Sequence, residues 1–518
     1  MPLNAGPVRN PSDDRLDDLV AAVEQSRSHL IDGWEATSIL ESLGYTDVRV
    51  QREFGLNDAR AAGEHVAASF RAKPFAPTPT WAPPHLESPL AIVVRSAAST
   101  LIYAVPWLIA FLAQTLSPNA MRMPSRIAPP LALALMFSLV ASGGMVQAIA
   151  RRGEFYVGLR QIEMARHVVR ALLRIGVTMI VVVATVAVFV GWYFGLFAWS
   201  SLVLGGDAFV IMSVLWMVCG TFAIRQQQWR VAVAFVVGVA VFAIVRSTDA
   251  DAVTAQLGAV AAVLGIAALQ MPAVFGQRKT VGLLPPGVRM PRLSVLVYWT
   301  LPYFWYGTVY FAFLFADRVS AGTASVAWGG PFGIPAQYSL GMELALLTLL
   351  IAASGAEVSG ALFARAFACE AVHPLAAGVA PLAARLKRHH TRALAVTALT
   401  FVLTAIAIAG IAHRTMPEAL TPAVWTTLLT GDAGYAFLAL SLTNVLVLFG
   451  TQRPWVVVRE FTTALGINLL AGYVLSHGFD RFHAVDGLLL SALYFAVQST
   501  RAVRRTLRRA DYAYAVGQ

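Results

Sequence analysis

Twelve apolar runs, each long enough to cross a ~30 Å hydrocarbon core as a helix of about 20 residues, dominate the chain beyond residue 88. Their approximate limits are 90–115, 127–149, 174–198, 207–224, 231–246, 254–275, 294–316, 338–363, 393–412, 434–450, 455–476 and 483–500. Lipid offers the backbone no water, so each span must satisfy its own N–H and C=O groups, and runs of this length do so as helices. The sequence therefore predicts an all-α, polytopic membrane protein. Only 13% of the 518 residues are charged, about half the share of a soluble domain, which excludes soluble enzymes and free nucleic-acid binders. The two cysteines, Cys219 and Cys369, lack metal-ligand spacing and read as packing residues.

Charge divides the chain. Residues 1–88 carry 8 basic and 13 acidic side chains, against 31 and 15 in the remainder. Helical apolar spacing at Leu16, Leu19, Val20 and Val23, then Ile39 to Leu56, predicts a small helical cytoplasmic domain over 1–72. Ser12-Asp13-Asp14 and Asn57-Asp58 read as helix caps. A Pro-rich linker follows over 73–88. The remaining units are a first transmembrane repeat (89–275), a cytoplasmic linker (276–292), a second repeat (293–500) and a basic tail (501–518). Connections after even-numbered spans, with the tail, hold 23 Lys and Arg against 6 after odd-numbered spans. That asymmetry predicts cytoplasmic termini in the cytoplasmic (inner) membrane, and the first 88 residues show no signal-type apolar stretch.

An internal repeat is visible. Ala141-Ser142-Gly143-Gly144 near the end of span 2 matches Ala353-Ser354-Gly355-Ala356 in span 8, and Val105-Pro106-Trp107 in span 1 matches Leu301-Pro302-Tyr303 in span 7. Six spans separate each pair, so the halves enter the membrane in the same sense. Two parallel six-helix repeats with a path between them belong to secondary transporters.

Charged groups inside a bilayer are costly and mark pathways or paired sites. Those read as candidates are Arg95 in span 1, Asp317-Arg318 at the end of span 7, Glu343 and Glu357 in span 8, and Arg459-Glu460 in span 11, with Asn444 as a polar path residue. Asp486 and Arg95 also suit snorkelling at span ends. Glu343 and Glu357 stand fourteen residues apart, within about 40° of one helix face. They suit either a coupling cation or proton, or, for Glu357, a lock onto a cytoplasmic-side Arg. Trp328 and Phe332 suit sugar stacking at an outer mouth, or an interfacial aromatic belt. His389-His390 reads as a solvated basic face. No P-loop and no common zinc motif occurs, so the expected cofactors are none beyond a coupling cation or proton.

Twelve spans in a 6+6 parallel repeat resemble the multidrug/oligosaccharidyl-lipid/polysaccharide exporter superfamily. Within it, the stretch Pro302-Tyr303-Phe304-Trp305-Tyr306-Gly307-Thr308-Val309-Tyr310 through Asp317-Arg318, together with Pro106-Trp107-Leu108, is similar to the membrane exporter of the Pel exopolysaccharide system. The resemblance implies a non-enzymatic exporter or flippase of a polysaccharide or lipid-linked glycan, with Asp317 and Arg318 at the outer mouth and Glu357 on the inner path. Its implied partners are the bilayer, the glycan, and a cytoplasmic glycosyltransferase docked on the N-terminal domain, a departure from the usual exporter. A small-molecule drug or cation exporter of the same fold, and a membrane scaffold without transport, are the competing readings.

Overall fold

The computed structural model of the protein describes residues 11–26, 32–72, 88–116, 124, 126–275, 292–327, 333–372 and 379–508, and among them there is no strand. The chain divides into two compact units, Met1–Leu86 and Glu87–Gln518.

The first unit holds α1 (Pro11–Ser26), α2 (Gly33–Ser42), α3 (Asp47–Phe54) and α4 (Ala59–Ala72). Extended backbone at Asp32 lets its carboxylate accept the Glu35 amide at 2.9 Å and start α2. Gly55, at φ +72°, terminates α3 in the left-handed conformation. Asp58 then accepts the Ala61 amide at 2.7 Å to start α4. Leu19, Val23, Leu40, Val50 and Val66 form the buried centre of the unit. α2 and α4 cross at Gly63, where a Cβ would stand 2.1 Å from the Thr37 hydroxyl oxygen. α1 is helical from Pro11, so Ser12, Asp13 and Asp14 lie within it.

The second unit is a multi-pass membrane body of twelve helices: α5 (Pro89–Leu116), α6 (Ala128–Gly158), α7 (Ile162–Tyr193), α8 (Trp199–Thr221), α9 (Trp229–Ser247), α10 (Ala252–Val274), α11 (Leu293–Ala327), α12 (Ala336–Val372), α13 (Val379–Thr415), α14 (Pro422–Gly450), α15 (Pro454–Gly478) and α16 (Ala484–Leu507). Each expected span has its helix. Helix ends depart from the apolar runs, because Arg, Lys and Ala propagate a helix as readily as Leu does. The run at 393–412 thus lies in a helix that begins at Val379. Among the described residues eight helices, α6 to α10 and α12 to α14, are long and apolar enough to cross a membrane by length and composition. α11, α15 and α16 are less so: α11 carries Asp317-Arg318, α15 carries Arg459-Glu460, and α16 ends in Arg501, Arg504 and Arg505.

Packing repeats after six helices. α6 packs on α7 and α8, as α12 packs on α13 and α14; α8 meets α10 as α14 meets α16; α9 pairs with α10 as α15 pairs with α16. Each half has its own core, one around Ile149, Val168, Met217 and Phe222, the other around Phe313, Leu438, Phe461 and Phe495. The contacts between halves also obey the repeat, with α5 on α12 and α11 on α6.

Two local devices place these helices. Asp251 caps α10, and hydrogen bonds from the Thr254 hydroxyl and amide hold its carboxyl below the usual range. At the far end, Arg166 and Arg225 donate to the last carbonyls of the same helix, Phe275 O and Val274 O, each at 3.1 Å. Some basic loop residues therefore serve helix ends rather than the lipid surface.

The α6–α11 crossing is the tightest contact between the halves. A Cβ on Gly307 would stand 2.3 Å from the Gly143 carbonyl oxygen, and one on Gly144 2.5 Å from Phe304 O. Small residues allow this approach, and membrane helices associate largely through such packing. Gly307→Leu should destabilise the body by about 1–3 kcal/mol, read as a lower melting temperature in detergent. Gly410→Ala, with open space around the position, should leave it unchanged.

Candidate functional site

The space between the halves is bordered by one face each of α6, α11 and α12. On α6, Gln147, Arg151 and Glu154 recur at helical spacing, as do Tyr303, Tyr306 and Tyr310 on α11. Arg151 of the first half reaches across, its guanidinium 5.8 Å from the Tyr303 ring centroid and 5.4 Å from that of Phe449 on α14. It also pairs with Glu154 at 3.7 Å. The tyrosines form a ladder, with Tyr306 centred 6.2 Å from Tyr310 and 5.0 Å from Phe449.

Glu357 of α12 completes this cluster. Arg151 and Glu154 are the charges that act on it, and its own charge acts on Tyr306 and Tyr310. Its side chain is accessible although protein atoms of both halves crowd around it, as for a group that lines a narrow cleft. One guanidinium there pairs with Glu154 and lies within the electrostatic reach of Glu357, beside aromatic faces, so two carboxylates stand against one fixed positive charge, an arrangement suited to a cation. Arg151 acts on Glu357 through its charge alone, with no ion pair between the two among the described residues.

A second cluster lies inside the second half. Asp317 is fully buried; it accepts the Tyr338 hydroxyl at 2.8 Å and pairs with Arg318 at 3.4 Å. Arg318 further donates to Leu314 O at 2.8 Å and Met342 O at 3.2 Å. The pair does not line an open outer mouth, as the sequence suggested, because α11 continues to Ala327 and α12 and α14 cover it. Tyr435 of α14 adjoins Arg318, and Asp432 lies one turn before it, near Thr348 of α12. The Asp432 Oδ1 is buried without a hydrogen-bond partner, as is the Asn468 Oδ1, whose amide donates to Phe313 O.

The remaining sequence candidates fall elsewhere. Glu343 accepts the Ser339 hydroxyl on its own helix at 2.8 Å. Arg95 is exposed on α5. Arg459 and Glu460 pair at 2.6 Å, and Tyr494 of α16 donates to Glu460 at 3.2 Å, which ties α15 to α16. Asn444 accepts from His390 Nε2 at 2.7 Å and donates to Ser499 and Thr500, binding α13, α14 and α16 together. His390 is therefore buried, not part of a solvated basic face, because α13 starts early enough to carry it inward. Trp328 and Phe332 lie outside the described residues. Sequence reasoning missed Asp432 and Asp207, single acids at the edges of apolar runs, and Arg151, whose reach into the interface no spacing shows.

No protein-family model matches the sequence, and no curated protein matches it. Solved structures do. A MATE in the straight conformation superposes with a TM-score of 0.58 at 11% identity, covering 82% of this chain and 98% of that one. An outward-facing multidrug resistance MATE family transporter of the MOP superfamily gives 0.58 at 13%, covering 82% and 97%. A eukaryotic MATE transporter gives 0.57 at 11%, covering 82% and 98%. The membrane body has the MATE fold. That 82% is about the share that residues 87–518 make up, and the MATE fold accounts for the twelve-helix repeat without assigning a substrate.

The two clusters should separate by stability. Arg318→Met, which strands the buried Asp317, should cost about 3–5 kcal/mol. Asp317→Asn combined with Arg318→Met should recover most of it, and Glu357→Gln should leave the detergent melting temperature unchanged.

Proposed function

We propose that the protein is a membrane exporter, not an enzyme, which moves lipophilic organic cations between its halves by alternating access. The exposed Glu357 beside the Tyr303–Tyr306–Tyr310 ladder carries this reading. A carboxylate in a space walled by aromatic rings attracts a positive charge and rewards apolar bulk. Solved MATE structures include one described as a multidrug resistance transporter, which supports a small-molecule cargo over the glycan implied by the sequence resemblance. Coupling falls to a cation or proton taken by Asp432, whose unpartnered oxygen lies inside the second half, apart from the substrate space. The body sits in the cytoplasmic membrane with both termini inside, as the loop charges favour.

A glycan or lipid-linked glycan is the second reading, because a ladder of tyrosines equally suits stacking on sugar rings. Under it, residues 1–72 dock a cytoplasmic glycosyltransferase, and their deletion removes that partner from pull-downs while the membrane body stays folded.

Ethidium transport into everted membrane vesicles tests the main reading. Wild type should accumulate the dye, and Glu357→Gln should fall below about a tenth of that rate, roughly 1.4 kcal/mol or more of lost interaction, at equal membrane abundance. Equal rates would remove Glu357 from the path. No dye transport by wild type, together with loss of surface glycan on gene deletion, would favour the glycan.

A further inference from the structure

A groove of about 770 Å³ runs between α7 and α8, away from the residues that border the space between the halves. Its α7 wall includes Val181 and Phe189 and ends at Trp192; its α8 wall runs from Trp199 through Val203 to Asp207. The spacing on each helix is that of a single face. These side chains are exposed, Phe189, Trp192 and Trp199 by more than half. The aromatic end is ordered by ring contacts, with Phe189 centred 5.9 Å from Trp192 and 6.5 Å from Tyr193.

Asp207 is the charged member of this groove. It makes no hydrogen bond or ion pair among the described residues, whereas the neighbouring Thr185 hydroxyl is satisfied by Val181 O at 2.9 Å. Trp192, Tyr193, Phe194 and Trp199 cluster at the α7–α8 turn, the composition of a membrane interface. Asp207 follows Trp199 by eight residues, which puts it ~12 Å further along the helix, at hydrocarbon depth. A lone carboxylate on a lipid-accessible face at that depth is costly unless a positive charge meets it. Apolar walls, tryptophan faces and one carboxylate complement a single class of ligand.

The geometry points to a second, peripheral cation site: the α7–α8 groove captures lipophilic organic cations directly from the membrane, with Asp207 as counter-ion and Phe189, Trp192 and Trp199 as the aromatic wall. The purpose of such capture, delivery to the central space, rests on the exporter reading; the binding itself does not, so it is measured without transport.

The full-length protein carrying Glu357→Gln is placed in phosphatidylcholine nanodiscs, and binding of radiolabelled tetraphenylphosphonium is measured by equilibrium dialysis. Saturable binding should persist in this background. Adding Asp207→Asn should weaken it at least tenfold, and Val203→Trp, which fills the groove from an exposed position, should weaken it similarly. Tetraphenylborate, of the same shape and opposite charge, should bind no worse after Asp207→Asn. Loss of all saturable binding with Glu357→Gln alone would overturn the groove site while leaving the exporter reading intact. Unchanged affinity after Asp207→Asn would overturn it equally. Displacement of the probe by added phosphatidylethanolamine would assign the groove to a lipid ammonium instead. Groove binding without vesicle transport of any cation would support the site and remove the exporter reading.

Discussion

The halves of the membrane body meet along two helix pairs, α6 on α11 and α5 on α12, and the first closes to backbone contact at Gly143 and Gly307. Helices in lipid gain little from hydrophobic association, because the tails are as apolar as leucine; contact must come from packing or polar bonds. Glycine supplies the packing here. With α6 held against α11 over one crossing, Arg151 and Glu154 follow it along α6 while Tyr303, Tyr306 and Tyr310 flank it on α11. The candidate site thus adjoins the crossing, with Arg151 of one half over the rings of the other.

Polar groups are managed differently within each half. Asp317, Arg318 and Tyr338 form a closed set whose charges are matched by an ion pair, a hydroxyl and two carbonyls. Such a set is expensive to break but contributes little against an apolar replacement, so its value lies in fixing α11 against α12. His390, Asn444, Ser499 and Thr500 do the same for α13, α14 and α16. Glu357 and Asp432 break this pattern, one by exposure and the other by an unmatched oxygen. Tyr435 and Asn468 also hold an unmatched oxygen, but of these three Asp432 alone carries a carboxylate.

The twelve-helix architecture is legible because membrane length is a one-dimensional signal. The repeat was legible through Ala141–Gly144 and Ala353–Ala356, although the two motifs serve different contacts: Gly144 meets α11, while a Cβ on Gly355 would meet Thr400 of α13. Sequence likeness identified the duplication but not how each copy is used. Glu357 is visible in the sequence as an acid within an apolar run, yet its neighbours come from helices some 50 and 200 residues away, and no local spacing reports them. Asp317-Arg318 looked like a span end because hydropathy drops there, whereas the helix continues and the pair turns inward. His390 was misread for the same reason, as part of a charged stretch whose helical phase buries one residue in several.

The Gly143–Gly307 crossing also fixes a lever. Arg151 lies eight residues beyond Gly143, ~12 Å along the helix, and rigid-body rocking about a packed crossing is a common mode of domain movement. A swing of about 20° around that pivot displaces the Arg151 end by roughly 4 Å, whereas the guanidinium stands only 5.4 Å and 5.8 Å from the rings it covers. Backbone contact at the fulcrum leaves almost no play, so angular motion is converted into separation at the tip with little loss. A rotation of that size would open a gap about one guanidinium wide while leaving both helical cores unchanged.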